Sequence, residues 1–169
     1  MELSGLYRQP GHLIRRAHQI ASAAFVMEAQ RQNLDLTAVQ FSALVAIRDN
    51  PGTDATRVSE YISFDRTTIG HVLARLEKKG LITRTPGIED KRTKRLRITS
   101  EGQEVIQAIT GVVPAIAERI LGRLSDDERR TLLVLLARLA DVGPYRSVGD
   151  FEIGERASDA SPAGARRTG

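Results

Sequence analysis

The fold of this chain is decided by residues 65–99, which read DRTTIGHVLARLEKKGLITRTPGIEDKRTKRLRIT. In the first part of this stretch, apolar residues recur at steps of three and four, which is the period of a helix with one buried face. After Gly80 the period changes to two, over residues 81–85 and 95–99, which is typical of short strands. A polar, charged turn over residues 86–94 separates these strands, so the stretch predicts a helix followed by a β-hairpin.

A shorter helix is predicted immediately before this one. Thr53 or Asp54 has the short polar side chain that caps a helix start, and Asp65 has the same role for the helix that runs to Lys79. Gly80 ends that second helix. Two helices in tandem followed by a two-stranded hairpin are the winged form of the helix-turn-helix, whose second helix lies in the major groove of DNA while the wing reaches the adjacent minor groove.

Longer helices are predicted on both sides of this motif. Apolar residues at helical spacing predict a first helix from Pro10 to about Gln32, and a second helix ends before Pro51. The predicted order is α-α-α-α-β-β-α-α, a mainly α fold with a small β-hairpin. Three pairs have the spacing of a capping box, in which two side chains bond the free amides of a helix start. These pairs are Thr37 with Gln40, Ser100 with Gln103, and Ser125 with Glu128.

Positive charge is concentrated on the second of the tandem helices, which we call the recognition helix, and on the hairpin. Residues 61–99 contain ten Lys and Arg against four Asp and Glu, within a chain whose net charge is +4. Residues 1–60 hold six of each sign, and residues 100–169 hold nine basic against eleven acidic residues. A basic surface that is confined to one block predicts a nucleic-acid interface.

The composition narrows the class of partner. Aromatic residues make up only 4% of the chain and Trp is absent, which disfavours single-strand binding by base stacking and favours duplex recognition. The absence of Cys excludes disulfides and thiolate metal sites. No stretch approaches the ~20 apolar residues of a membrane span, and no signal-peptide pattern is present. We therefore expect a cytoplasmic protein without a membrane partner.

No pattern of an enzyme or a metal site competes with this interpretation. The histidines are His12, His18 and His71, and a metal site needs several convergent ligands. The sequence contains no nucleophile elbow, phosphate loop, nucleotide fingerprint or HExxH pair. We expect no catalytic residues, no metal and no cofactor.

The outward face of the recognition helix carries the predicted DNA contacts. Four apolar residues of this helix are expected in the core, which turns a polar set outward, and Arg is the commonest reader of guanine. A solvated charged face is the alternative for a generic helix, but the adjoining basic hairpin favours DNA here. The core set is Ile69, Val72, Leu73 and Leu76; the outward set is Thr67, Thr68, His71, Arg75 and Lys78; and the basic hairpin set is Lys91, Arg92, Lys94, Arg95 and Arg97.

Residues 57–102 closely resemble the recognition helix and wing of the MarR family of bacterial transcriptional regulators. The resemblance rests on the signature of Asp90 and Arg92 followed by the closing strand at residues 96–99, and the helical order extends it to roughly residues 10–142. It implies that Arg92 enters the minor groove and that Asp90 holds this arginine in place. Asp90 is therefore added to the predicted DNA-binding residues.

The resemblance also implies a homodimer that binds a pseudo-palindromic operator in double-stranded DNA. The long outer helices support this independently, because they carry more apolar surface than a small winged lobe can cover, although an ordinary intrachain core is the alternative. We expect one domain over residues 1–142, with dimerisation helices at 10–36 and 100–142 around a winged helix-turn-helix at 37–99. A loosely ordered tail is expected over residues 143–169, which are rich in Gly, Pro, Ser, Ala and charge.

Members of the family often bind small aromatic or phenolic acids between the dimer helices and the DNA-binding lobe. Residues 10–19, PGHLIRRAHQ, are similar to the first helix of members that control aromatic-acid breakdown, some of which respond to CoA thioesters. On a helix Arg15, His18 and Ser22 share one side, where an arginine would pair with a carboxylate; Arg16 and Gln19 are the alternative occupants of that place. Interfacial salt bridges or plain solvation are the competing interpretation. The candidate ligand residues are His12, Arg15, Arg16, His18, Gln19 and Ser22.

Two functions from different classes remain open at this point. The first is a sequence-specific DNA-binding regulator, a repressor released by a small aromatic acid or its CoA thioester. The second is a winged-helix module that binds a protein or a ligand without sequence-specific DNA contact. The basic recognition face favours the first.

Overall fold

The computed structural model describes residues 3–87 and 93–141 of the chain. Over these residues the predicted mainly α fold with a small β-hairpin is confirmed, and a short helix is added before the first predicted one. The predicted C-terminal tail lies outside the described residues. The elements are α1 (Leu3–Leu6), α2 (Pro10–Arg31), α3 (Ala38–Asp49), α4 (Ala55–Tyr61), α5 (Arg66–Lys78), β1 (Ile82–Pro86), β2 (Lys94–Ile98), α6 (Ser100–Leu121) and α7 (Asp126–Leu139).

The described residues divide into two compact units, with the boundary between Ile120 and Leu121. The first unit contains α1 to α5, the hairpin and all but the last residue of α6, and the second contains α7. Among the described residues, no single helix is long and apolar enough to cross a membrane.

The core of the first unit lies among α2, α3, α5, the hairpin and α6. All four apolar residues of α5 that were expected in the core are buried. Burying a side chain of this size contributes about 1.5–3 kcal/mol, so this helix is fixed mainly through its inner face. The largest fully buried side chains are Leu44, Ile47, Val58, Ile69, Leu73, Leu76, Ile82, Leu96 and Ile109.

Two of the three predicted capping boxes form. At the start of α3, Thr37 Oγ1 accepts a hydrogen bond from the Gln40 amide at 3.3 Å, and Gln40 Oε1 accepts from the Thr37 amide at 3.0 Å. At the start of α7, the Ser125 amide donates to Glu128 Oε2 at 2.8 Å, and Ser125 Oγ accepts from the Glu128 amide at 3.3 Å. These reciprocal bonds satisfy amides that a helix start leaves free.

The predicted capping box at Ser100 was wrong, because Thr99 caps α6 instead. Thr99 Oγ1 accepts from the Gly102 amide at 3.0 Å and donates to the Gly80 carbonyl at 2.7 Å. Ser100 Oγ donates to Glu101 Oε2 at 3.0 Å. Since β2 ends at Ile98, Thr99 is the residue that makes the transition into the helix. Its hydroxyl therefore links the end of the recognition helix, the hairpin and the start of α6.

The hairpin is a two-stranded antiparallel sheet with Ile82 opposite Ile98 and Arg84 opposite Leu96. The loop between α3 and α4 adds two further backbone bonds to β2. The Gly52 amide donates to the Leu96 carbonyl at 2.9 Å, and the Leu96 amide donates to the Thr53 carbonyl at 2.8 Å. The hairpin is thus bonded directly to the segment that leads into the helix-turn-helix.

Candidate DNA interface and ligand cavity

The start of the recognition helix α5 is fixed by its capping residue and by the turn that precedes it. Asp65 caps it, with one carboxylate oxygen accepting from the Thr68 amide at 2.8 Å. Hydrogen bonds from the Thr68 side chain and amide lower the pKa of Asp65. The turn from α4 passes through Ser63, whose φ of +52° lies in the left-handed region, and the Phe64 amide donates to the Ser59 carbonyl at 2.9 Å. Asp54, rather than Thr53, caps the preceding helix α4.

Two stripes of side chains follow α5, and all of their residues are exposed except Val72, which is buried. One stripe points away from the core at spacings of three and four residues, and we call it the outer stripe. The other borders a cavity, and we call it the cavity stripe. The outer stripe is Thr67, Gly70, Ala74 and Lys78, and the cavity stripe is Thr68, His71, Val72 and Arg75.

The predicted DNA-binding residues of this helix are therefore divided between two faces. Thr67 and Lys78 lie on the outer stripe, whereas Thr68, His71 and Arg75 line the cavity while remaining exposed. Their roles in DNA binding stay a prediction. The sequence pattern placed all five outward together because they share only the property of facing away from the core.

The outer stripe has small residues at its centre. Gly70 and Ala74 are exposed, and a Cβ atom added to Gly70 would meet nothing within 4 Å. Packing within the chain therefore does not require glycine at this position. A helix with small side chains at its crest lets its backbone approach a groove closely.

The second strand of the hairpin carries exposed cations. Lys94, Arg95 and Arg97 are exposed along β2. The guanidinium of Arg95 donates to the Gly52 carbonyl at 3.2 Å, which holds this side chain against the loop before α4. The predicted contacts at the wing tip, Asp90, Lys91 and Arg92, lie outside the described residues.

Two carboxylates near this surface are neutralised by other side chains. Glu77 pairs with Arg84 at 2.9 Å, and Glu60 pairs with Arg57 at 3.1 Å. Arg66 was not among the predicted contacts; it is exposed at the start of α5, and its guanidinium donates to Thr56 Oγ1 at 2.6 Å. Because Arg84 lies on β1 and Arg57 on α4, these two ion pairs do not involve the cations of α5 or β2.

A cavity of about 770 Å³ lies between α2, the start of α3, the turn before α5 and α5 itself. One part of its wall is apolar and the other part offers hydroxyl, amide, imidazole and guanidinium groups. The apolar wall is Val26, Ala38, Val39, Ile62, Phe64 and Val72, and the polar wall is His18, Ser22, Thr37, Gln40, Ser42, Thr68, His71 and Arg75.

Two of the six candidate ligand residues, His18 and Ser22, line this cavity, with His18 Nε2 and Ser22 Oγ 3.5 Å apart. On α2 the lining continues to Val26, so that it follows a spacing of four residues. Arg15, Arg16 and Gln19 are exposed and are not part of the lining. His12 is outside the lining as well; its ring packs edge-on against Tyr7 with 5.6 Å between centroids, and its Nε2 is buried without a hydrogen-bond partner.

Most of the cavity wall was missed at the level of the sequence. Residues 37–40, Ser42 and the pair Ile62 and Phe64 come from other parts of the chain and reach α2 only through tertiary packing. Phe64 offered a signal in the sequence, because it is a large apolar residue in the turn between two predicted helices; in the structure it is 39% exposed. Within residues 3–87 and 93–141, no group of three His, Asp or Glu side chains is placed to hold a metal ion.

The tandem helices α4 and α5, the basic surface of α5 and the hairpin that follows define a winged helix-turn-helix DNA-binding protein. The sequence model of the MarR family matches residues 36–94. The chain is 30% identical over 128 residues to the transcriptional regulator HosA of Escherichia coli, an alignment that covers 76% of this chain and 92% of HosA. The chain belongs to the MarR family, as its recognition helix and wing predicted.

Solved structures of regulators have the same fold. One of them is BpsR of Bordetella bronchiseptica, whose DNA binding is regulated by 6-hydroxynicotinic acid. Its structure is similar to this one with a TM-score of 0.72 and 27% sequence identity, over 85% of this chain and 99% of BpsR. Another is the transcriptional repressor CouR bound to a 23-mer DNA duplex, with a TM-score of 0.71 and 28% identity over 83% of this chain and 98% of CouR.

Proposed function

We propose that this protein is a transcriptional repressor that leaves its DNA operator when a small aromatic acid, or its CoA thioester, enters the cavity next to α5. The observation that carries the proposal is the shared wall: residues of the recognition helix itself line the cavity. A ligand there contacts the element that reads DNA, so binding at one site changes the other. The regulation of BpsR by an aromatic acid supports this.

The DNA contacts we propose are those of the outer stripe, the exposed part of the cavity stripe and the hairpin. Lys78, Lys94 and Arg95 supply charge to phosphates, and Thr67 at the start of α5 is placed to meet the backbone or a base edge. At the wing tip we propose contacts from Lys91 and Arg92, with Asp90 positioning the arginine. The DNA complex of the similar repressor CouR supports this use of the fold.

The ligand we propose is a flat aromatic ring with one carboxylate. Apolar side chains such as Val39, Ile62 and Phe64 enclose a ring, and the imidazoles and hydroxyls of the polar wall bond its substituents. Among the six candidates from the sequence, we propose His18 and Ser22 for this role, because both line the cavity.

We also propose that the protein acts as a homodimer on a pseudo-palindromic operator. Large apolar side chains are exposed on the helices that were expected to form the dimer, including Ile20 at 50% on α2 and Leu139 at 68% on α7. A second subunit would cover them and would present two recognition helices related by a two-fold axis.

We infer that the protein has no catalytic activity and works in the cytoplasm, where its DNA target is found. Ser22 and His18 provide a hydroxyl and an imidazole within the cavity, and their 3.5 Å separation is longer than the ~2.6–3.2 Å typical of an activated nucleophile and its base. The cavity lining also contains no Asp or Glu that would orient the imidazole.

The test begins with an operator selected from a pool of random duplexes. We expect tight binding that falls steeply as salt rises, because several phosphates are neutralised, and much weaker binding to a scrambled duplex. Benzoates, hydroxycinnamates and their thioesters are then added to the operator complex at millimolar concentration, and at least one is expected to dissociate it. Equal affinity for all duplexes would favour the winged-helix module without sequence-specific DNA binding. Failure of every acid and thioester would remove the effector and leave the DNA-binding assignment in place.

A further inference from the structure

Arg75 lies at the border between the cavity stripe and the outer stripe of α5. It follows His71 by one helical turn within the lining of the cavity, and it lies one turn before Lys79 and three residues before Lys78. Its side chain is exposed even though the residue forms part of the cavity wall. The same guanidinium is therefore within reach of a molecule in the cavity and of the solvent beside the outer stripe.

Arg75 also places a positively charged guanidinium group in the lining of the cavity. Of the described residues that line the cavity, none besides Arg75 is Lys, Arg, Asp or Glu. Among the described residues no carboxylate forms an ion pair with Arg75; the charge of Arg75 helps to lower the pKa of Asp35, but the ion-pair partner of Asp35 is Lys79, at 2.8 Å. An available guanidinium in an otherwise uncharged cavity offers two parallel hydrogen bonds to a carboxylate.

We propose that Arg75 is the residue for which effector and operator compete. A carboxylate inside the cavity takes the guanidinium and removes one cation from the DNA interface. This inference rests on the proposed function, since it needs both DNA and an acidic effector as ligands. It goes further than the proposed function because it explains the release of DNA as a competition between effector and operator for one side chain.

The competition has two measurable consequences. Operator and effector must weaken each other by the same factor, since coupling between two ligands is reciprocal. Each cation that neutralises a phosphate also adds roughly one unit to the slope of log affinity against log salt. The effector-saturated protein should therefore bind DNA with a slope that is smaller by about one.

The experiment compares wild type with Arg75→Gln and with a matched control, Lys78→Gln, which removes an exposed cation of the outer stripe. Operator binding is measured over a salt series, with and without 6-hydroxynicotinate or 4-hydroxybenzoate, and binding of each acid is measured by calorimetry. For Arg75→Gln we expect a slope reduced by about one, acid binding weakened roughly 5- to 150-fold, and an operator complex that the acids no longer dissociate. For Lys78→Gln we expect a similar loss of slope with unchanged acid binding and response.

Two further variants separate a specific role from damage to the fold. Arg75→Lys keeps the charge but not the paired hydrogen bonds, so we expect a normal salt slope with weakened acid binding. Arg15→Ala removes a cation that does not line the cavity, and we expect it to keep wild-type acid binding.

The proposal is overturned if Arg75→Gln binds the acids as wild type does, or if its operator complex still dissociates in their presence; the proposed function then stands. If neither acid binds wild type at millimolar concentration, the proposal also fails, because it requires a cavity that binds carboxylates. Salt-dependent operator binding would in that case still support the DNA-binding part of the proposed function.

Discussion

At the scale of single residues, Gly70 tests how closely α5 approaches DNA. Gly70→Ala adds a methyl group into open space and removes the entropic cost of glycine in a helix, so we expect it to stabilise the free protein by about 0.5–1 kcal/mol. We also expect weaker operator binding, since the methyl group stands on the outer stripe. Thermal unfolding measures the first effect and titration of operator DNA the second. A stabilised variant with full operator affinity would show that the backbone at Gly70 stays away from the groove.

Buried Glu28 is a second residue with a testable role, because its carboxylate is bound from both sides. Arg119 of α6 and Arg31 of α2 both pair with it, and its side chain is only 5% exposed. The hydrogen bond from Arg119 is the main cause that lowers the pKa of Glu28. A carboxyl group whose pKa is lower in the folded state stabilises the fold above its unfolded pKa and loses that contribution as pH falls through the folded pKa.

We therefore expect Glu28→Gln to be less stable than wild type at pH 7 and to approach wild type as the pH falls through the lowered folded pKa of Glu28, because below it the carboxylate is protonated in both states. Urea unfolding at a series of pH values measures the difference. Glu104→Gln is the control, since Glu104 is an exposed carboxylate on α6. A gap between Glu28→Gln and wild type that is constant with pH would contradict the electrostatic role.

At the scale of elements, the start of α6 packs directly on the hairpin through Gly102. A Cβ atom at this position would lie 2.7 Å from Ile98 Cγ1 and would also collide with the Leu81 carbonyl. Gly102→Ala should cost about 1–3 kcal/mol through overpacking, measured by denaturant unfolding. Gly111→Ala is the matched control on the same helix, because its Cβ would meet nothing within 4 Å. Equal free energies of unfolding for Gly102→Ala and Gly111→Ala would mean that the contact between α6 and the hairpin accommodates the added methyl group at no cost.

The same elements show which parts of the fold the sequence can predict. The buried face of α5 and the capping boxes at Thr37 and Ser125 depend on residues a few positions apart, so local spacing was enough. The cap of α6 was misassigned because Ser100 and Thr99 are both good capping residues, and only the end of β2 decides between them. Arg75 was assigned to DNA alone, since a helical period cannot show that α2 and α3 form a cavity beside it.

At the scale of the whole molecule, the exposed leucines of α7 bear on assembly. Leu135 is 55% exposed, so a charge at this position would reach solvent within one chain. We expect Leu135→Glu to weaken dimerisation and operator binding together while the helical content is retained. Sedimentation at micromolar concentration measures the first, and Thr131→Glu, at an exposed polar position of the same helix, is the control. A stable wild-type monomer under these conditions would contradict the dimer.

The two backbone hydrogen bonds that join β2 to the loop before α4 bear on the kinetics of dissociation from DNA. Because Leu96 is bonded to Gly52 and Thr53, a movement of β2 also pulls on the segment that leads into the tandem helices. Wing and recognition helix should then leave DNA in one event. A stopped-flow chase of a labelled operator would show a single exponential phase, whose rate rises when Thr53→Pro distorts the loop.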